Sequence, residues 1–320
     1  MDNVLGASTT PAGEVKTKEE LRSSYEIKDL GEAKYILGIK IERTDDRSIK
    51  LSQCAYSEHV LERFGMAEAK SRSTPLPSGI TLSIKDSLET QDEADEIKGV
   101  PYRKALGSLM WLQVATCPDL SYTVNLLSHF AHNPGQAHWN ALKHALSYIK
   151  ETLDYSITYF HNSSLHPFGY IDSDYAGDVD ERKSMEGHMF FVGGRLVSWA
   201  SKHQETIALS TVETEYMVFT QATQQALWLT KFMEEICMPQ QISICIFGDN
   251  TGAIANTQND KNHRHTKHID VKHYFVKEKV VMQSVEFNYV SSSENLADIL
   301  MKPLAKEAVA HCCVGIGIRG

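Results

Sequence analysis

The chain has 320 residues, 42% of them hydrophobic and 23% charged, with 32 Lys plus Arg against 41 Asp plus Glu and a net charge of −9. These are the proportions of a globular chain of about two domains, and they exclude wholesale disorder; 19 Gly and 9 Pro are too few for a collagen-like repeat. The acidic total excludes a basic coat over the whole surface, though not a local basic face. No apolar run approaches the roughly 20 residues that cross a bilayer, and the first residues lack the plan of a signal peptide. The six cysteines, at 54, 117, 237, 245, 312 and 313, show no CxxC spacing. They are too sparse for a disulfide framework and fit reduced thiols of an intracellular protein, cytoplasmic or nuclear.

Small polar residues open the chain, and a short helix is predicted over 16–23. Tyr35, Leu37, Ile39 and Ile41 alternate as in a strand, and DDRS (45–48) turns the chain into a second hairpin arm, IKLSQ. A helix follows over 52–64, stopped by Gly65. Residues 71–99 read as a linker. Six acids and two lysines in 85–98 suggest a solvated, mobile loop. Three helices are predicted between 101 and 150, broken at Pro118 and at Asn133-Pro134-Gly135, with Ala105, Leu109, Met110, Trp111, Leu112 and Val114 inward.

After Asp154 the rhythm becomes that of an α/β unit. YSITYF (155–160) and FGYIDSDY (168–175) alternate, and HMFFV, Gly193-Gly194 and LVSWA form a hairpin. A long helix is expected over 212–236, with Met217, Ala222, Ala226, Leu229 and Met233 inward. ISICIF (242–247) reads as a buried parallel strand ended by Gly248-Asp249-Asn250. Helices over 251–257 and 267–282, a strand at 285–290 and a closing helix at 293–302, capped by Ser293, complete the unit.

Four acids stand where chemistry could use them: Asp172 in a strand, Glu215 early in the long helix, Asp249 at the end of the buried strand and Asp298 in the closing helix. Strand interiors disfavour Asp. A carboxylate held there calls for a compensating partner, and a hard cation with oxygen ligands is a good one. Asp174 shares the strand face of Asp172. Glu213, Asp178, Asp180 and Glu181 read as solvated.

At these residues the chain meets a family. YEIKDLGEAKYILGIKI, LSQCAYSEHVLERFGM, PYRKALGSLMWLQVAT, GYIDSDYAGDVDERKS, LSTVETEYMVF, GDNTGAIA, RHTKHIDVKHYFVKEKV and ENLADILMKPL occur in this order. Together they make the whole chain resemble the C-terminal part of the Pol polyprotein of copia-type retrotransposons. The resemblance implies a ribonuclease H-like domain over 161–305, with a mixed five-stranded sheet and flanking helices. Before it would stand a largely helical, truncated reverse transcriptase region: the end of a palm over 1–65 and a thumb or connection over 66–160. Residues 306–320 would be a tail.

The implied activity is cleavage of the RNA strand of an RNA–DNA hybrid by two Mg²⁺ ions, with Mn²⁺ as a substitute, held by Asp172, Glu215, Asp249 and Asp298. No small-molecule cofactor and no membrane are implied; an intact Pol subunit is a further candidate partner. Residues 1–4, MDNV, align with the paired-Asp motif of the palm, with Asn3 at the second Asp, so no polymerase activity is expected. KSMEGH, TCPD, LMKPL and GDN depart from the family's usual RSTSGY, TRPD, FTKPL and CDN. Glu186 in the first of these would add a negative charge near metal or substrate. Such drift favours the alternative of an inert remnant that at most binds nucleic acid or another Pol chain.

The segment 261–279 carries six Lys/Arg, two acids and four His, which suits contact with a phosphate backbone. Arg264, Lys267, His268 and Asn250 are its candidate substrate-binding residues, with the GDN motif. The spacing of His263, His265, His268 and His273 does not match structural zinc.

Overall fold

The computed structural model describes residues 4–90, 92, 97, 99–161, 163–208, 210–239, 242–258 and 267–320, without the side chains of 212, 258 and 267–270. Asn3 and Arg264 therefore lie outside the described residues, as do His263 and His265. Two five-stranded sheets organise the chain.

Helix α1 spans Pro11–Ser24 and starts earlier than its apolar pattern suggests. Thr10 Oγ1 accepts from Gly13 N at 3.1 Å, and Pro11 supplies a preset first residue. The strand expected from Tyr35 onward breaks in two. Leu37 and Gly38 take φ of 50° and 80°, a tight turn between β1 (Tyr35–Ile36) and β2 (Ile39–Arg43). Strand β3 (Ile49–Ser52) pairs antiparallel with β2 as expected, and α2 (Cys54–Arg63) ends before Gly65, whose φ is 67°.

The segment 71–99 is expected to be a linker. Its front half packs: Leu76 and Leu82 are buried, and His144 Nε2 meets the Thr74 carbonyl at 3.0 Å. Leu76 lies between two prolines, and Leu82 alternates with Ile80 and Ile84 across Thr81 and Ser83. Helices α3 (Tyr102–Ala115), α4 (Ser121–Ser128) and α5 (Gln136–Glu151) follow. Met110 and Val114, expected inside, are exposed; the buried stripe of α3 runs through Tyr102, Ala105, Leu106, Leu109 and Leu112.

Strand β4 (Ser156–Tyr159) does not join the second unit, as its place in the sequence suggests. It pairs antiparallel with β3. Its other edge takes the C-terminus. Residues 306–320, expected as a tail, form α9 (Lys306–Ile316) and β10 (Ile318–Arg319), which pairs with β4. The first sheet thus has the order β1-β2-β3-β4-β10.

The second sheet contains β5 (Phe168–Asp174), β6 (Met185–Val192), β7 (Arg195–His203), β8 (Ile244–Gly248) and β9 (Val285–Tyr289). Its order is β7-β6-β5-β8-β9, with β5 to β7 antiparallel and β5, β8 and β9 parallel. Helices α6 (Thr211–Glu235), α7 (Thr251–Gln258) and α8 (Lys267–Val281) stand where the sequence predicts them. This is the ribonuclease H-like fold.

Both faces of this sheet are buried, as parallel strands require. Ile171, Phe190, Ile246 and Phe287 pack with Val218, Phe219, Ala222 and Ala226 of α6. Met185, Met189 and Phe191 join a second cluster with α3, α5, Leu300 and Ile316. The closing helix is replaced by two 3₁₀ turns, Ser292–Glu294 and Leu296–Leu300, and the second is capped by Asn295 rather than begun at Ser293. Among the described residues, no helix is long and apolar enough to cross a membrane.

Candidate active site

Asp172 and Asp249 meet through strand register. Tyr170 is level with Phe247 on the parallel strands β5 and β8. Two residues further along, Asp172 is still within β5, and Asp249 directly follows the end of β8 at Gly248. Ser173 N donates to Asp172 Oδ1 at 2.9 Å, and Ser292 Oγ donates to Asp249 Oδ2 at 2.7 Å.

Asp298 is brought to this pair by Asn295 and Gly187. The buried Asn295 donates from Nδ2 to the Ile171 carbonyl at 2.9 Å, beside Asp172, and its Oδ1 accepts from Ala297 N. One side chain therefore fixes both the 3₁₀ turn and its attachment to β5. Gly187 lies opposite Asp172 on β6. A Cβ there would run into Met301 and stand 2.9 Å from Leu300 Cβ. The turn bearing Asp298 can lie over the sheet only because that position has no side chain. Lys302, one turn on, places Nζ 2.6 Å from Asp298 Oδ1.

Glu215 approaches from the other face, on α6, whose start is capped by Ser210 Oγ accepting from Glu213 N. Its carboxylate accepts hydrogen bonds from the side chains of Asn250 and Ser173. Those are the residues directly after Asp249 and Asp172, so Glu215 is anchored at the ends of the two central strands.

The electrostatics register this convergence. Burial pushes the Asp172 carboxyl up to about 8, and the charges of Asp249, Asp298 and Glu215 add to the rise. Burial likewise raises Glu215 to about 7, against the hydrogen bonds from Asn250 and Ser173 and with the help of Asp249. Burial alone would lower the Lys302 ammonium; its hydrogen bond to Asp298 and the charges of Asp298, Asp172 and Asp174 raise it instead. Oxygen-donor acids gathered beside the Lys302 ammonium are the kind of donor that suits a hard divalent cation. They are not drawn tight in this structure. Among the described residues, the three ligating side chains whose atoms lie within 4.8 Å of one another are His129, Asp178 and His203, at a separate place.

Asn250, a candidate for substrate, caps α7 by accepting from Ala253 N at 3.0 Å and bonds Glu215. Lys267 and His268 begin α8, but their side chains lie outside the described residues, as does Arg264. Glu213, expected in solvent, is buried. Asp180 is engaged as well, accepting from Ser83 Oγ at 2.6 Å and Ile84 N at 2.8 Å. Glu186 is buried on the strand face opposite to that of Asp172, beside Gln204. Sequence reading missed Ser173, Ser292, Asn295 and Lys302. Only Lys302 had a local signal, four residues after Asp298 in the ADILMK run.

No family model matches the chain. It is 40% identical over 305 residues to the retrovirus-related Pol polyprotein from transposon TNT 1-94 of Nicotiana tabacum, which covers 95% of this chain and 23% of that one. It is 32% identical over 302 residues to the corresponding polyprotein from transposon RE2 of Arabidopsis thaliana, over 94% of this chain and 20% of that one. The chain thus spans about a fifth of the length of these curated relatives. A solved structure of the ribonuclease H1 LC11, isolated from compost, aligns with 46% of this chain and 96% of its own at 16% identity, with a TM-score of 0.34.

Proposed function

This chain belongs to the Pol polyproteins of copia-type retrotransposons, and from that premise we propose that its second unit is a metal-dependent ribonuclease H that cuts the RNA strand of RNA–DNA hybrids. The observation that carries the reading is the attachment of the Asp298 turn to β5 beside Asp172 through Asn295, with Asp249 held by Ser292; burial and the charges of three neighbouring acids raise the Asp172 carboxyl there. A sheet that gathers like charges at the ends of its two central strands is suited to binding a cation there.

Asp172, Glu215, Asp249 and Asp298 would hold two divalent cations, Mg²⁺ or Mn²⁺, which when bound supply charge stabilisation at both the attacking and the leaving oxygen of a phosphodiester. The protein's own groups set the stage. Ser292 orients the Asp249 carboxylate, and Ser173 and Asn250 hold that of Glu215. Lys302 keeps a positive charge at the rim. Half-buried Lys272 and exposed Tyr274 on α8 suit a sequence-independent backbone contact. The first sheet and α1 to α5 correspond, by the resemblance, to the end of the reverse transcriptase.

The test is a labelled RNA–DNA hybrid incubated with the native chain and with Asp249→Asn, with Mg²⁺ or with chelator. Cutting of the RNA strand that needs Mg²⁺ and falls at least about 100-fold in the variant is expected. No cutting, or a variant as fast as the native chain, would overturn the nuclease reading. Salt-sensitive binding without cutting would leave a nucleic-acid-binding remnant in its place.

A further inference from the structure

A second constellation lies apart from the four acids and uses none of them. His129 caps the C-terminal end of α4, His203 ends β7, and Asp178 stands in the turn between β5 and β6. Asp178 Oδ2 is 3.4 Å from His203 Nδ1 and 4.0 Å from His129 Nδ1. The two imidazoles meet edge to face, with centroids 4.2 Å apart. Asp178 is not free to turn away. Its Oδ1 accepts from Asp180 N at 2.8 Å and Glu181 N at 2.6 Å, which leaves Oδ2 aimed at the histidines.

The plain alternative is an ordinary His–Asp hydrogen bond. The structure argues against it, because His203 Nδ1 is buried and makes no hydrogen bond despite the neighbouring carboxylate. A buried polar atom left without a partner calls for a water or an ion. Burial also favours the neutral imidazole at His203, the form that ligates metals. At zinc bond lengths of about 2.0–2.1 Å, ligand atoms on the edge of a tetrahedron lie roughly 3.3 Å apart. The Asp178–His203 separation of 3.4 Å is close to that value, and all three ligand atoms lie within 4.8 Å of one another.

We propose that His129, Asp178 and His203 form a Zn²⁺ site, with the fourth position open to water. Two imidazoles and a carboxylate are donors suited to zinc rather than to Mg²⁺, which prefers an all-oxygen shell. The ion would join α4 of the helical layer to an end of the second sheet, and so act as a staple between the two units. It is independent of the nuclease reading.

The test uses the full chain, stripped by chelator and returned to buffer with excess Mg²⁺ to occupy oxygen-donor sites. Zn²⁺ binding is measured by equilibrium dialysis, and Co²⁺ serves as a coloured probe of tetrahedral coordination. One equivalent of Zn²⁺, intense visible Co²⁺ bands and a Zn²⁺-dependent rise in melting temperature are expected for the native chain. The bands and the rise should vanish in Asp178→Asn and in His129→Ala, whose half-exposed side chain makes misfolding a poor explanation of the loss. They should persist in a His263→Ala/His265→Ala double variant. Equal Zn²⁺ stoichiometry in the native chain and His129→Ala, or bands lost only in the double variant, would overturn the site.

Discussion

Asp172 is mostly protonated at neutral pH when no divalent cation is bound, since its carboxyl titrates at about 8. Glu215, at about 7, is close to half charged. Both values lie above those of an unfolded chain, so the native state holds more protons than the unfolded one across the interval between. Stability therefore falls as pH rises from about 4 to about 8 in the presence of chelator. Melting temperatures measured along that interval should decline, Mg²⁺ should flatten the decline, and Asp172→Asn should remove the largest single share of it. A flat profile for the native chain in chelator would contradict the burial and mutual repulsion of these acids. Asp172 and Asp249 stand out in the sequence as an Asp inside a strand and one at the end of an apolar run, whereas Glu215 and Asp298 were singled out by the motifs ETEY and NLAD of the family resemblance. Ser173, Ser292 and Asn295 were not, because serines and asparagines at element ends commonly serve only local caps.

Among the elements, α1 and the turn bearing Asp298 behave in opposite ways. Helix α1 buries none of its side chains and rests on its cap and on exposed ion pairs such as Lys18–Asp29. An isolated helix of 14 residues is marginal in water. Its amides should exchange almost as fast as those of an unfolded peptide, while those of α6, with Val218, Phe219, Ala222 and Leu229 buried, exchange slowly. Comparable protection in the two would refute this contrast. The Asp298 turn depends on the bare backbone at Gly187. Gly187→Ala should displace it, cost about 1–3 kcal/mol in denaturant unfolding and lower hybrid cleavage more than Asp298-independent binding. Elements with clear periodicity, such as α6 and β8, were readable from sequence. The 3₁₀ turns were read as one helix because their apolar spacing is helical, while Asn295 draws the backbone toward β5 instead.

At the scale of the whole molecule, the two sheets share a core. One apolar cluster takes Leu109, Leu142 and Ile157 from the first unit, Met189 and Phe191 from the second sheet, and Ile316 and Ile318 from the C-terminal segment. Denaturant unfolding should accordingly follow a single transition reported alike by far-UV circular dichroism and tryptophan fluorescence. Ile318→Asp, which buries an unpaired charge beside β4, should move that whole transition by about 3 kcal/mol or more. Two separate transitions, or a shift confined to one probe, would show that the units fold independently.

By itself the sequence determined the order and kind of most elements and the ribonuclease H-like second unit, and it singled out four acids as candidates. Each of these is written in local periodicity, in residue type at a strand end, or in a run of motifs. Only the tertiary structure decided that β4 pairs with β3 and β10, that Asp180 clamps Ser83, and that His129, Asp178 and His203 converge. These are pairings between residues far apart in the chain. They are fixed by sheet register and by the packing of one layer on another, which leave no imprint on a short stretch of sequence.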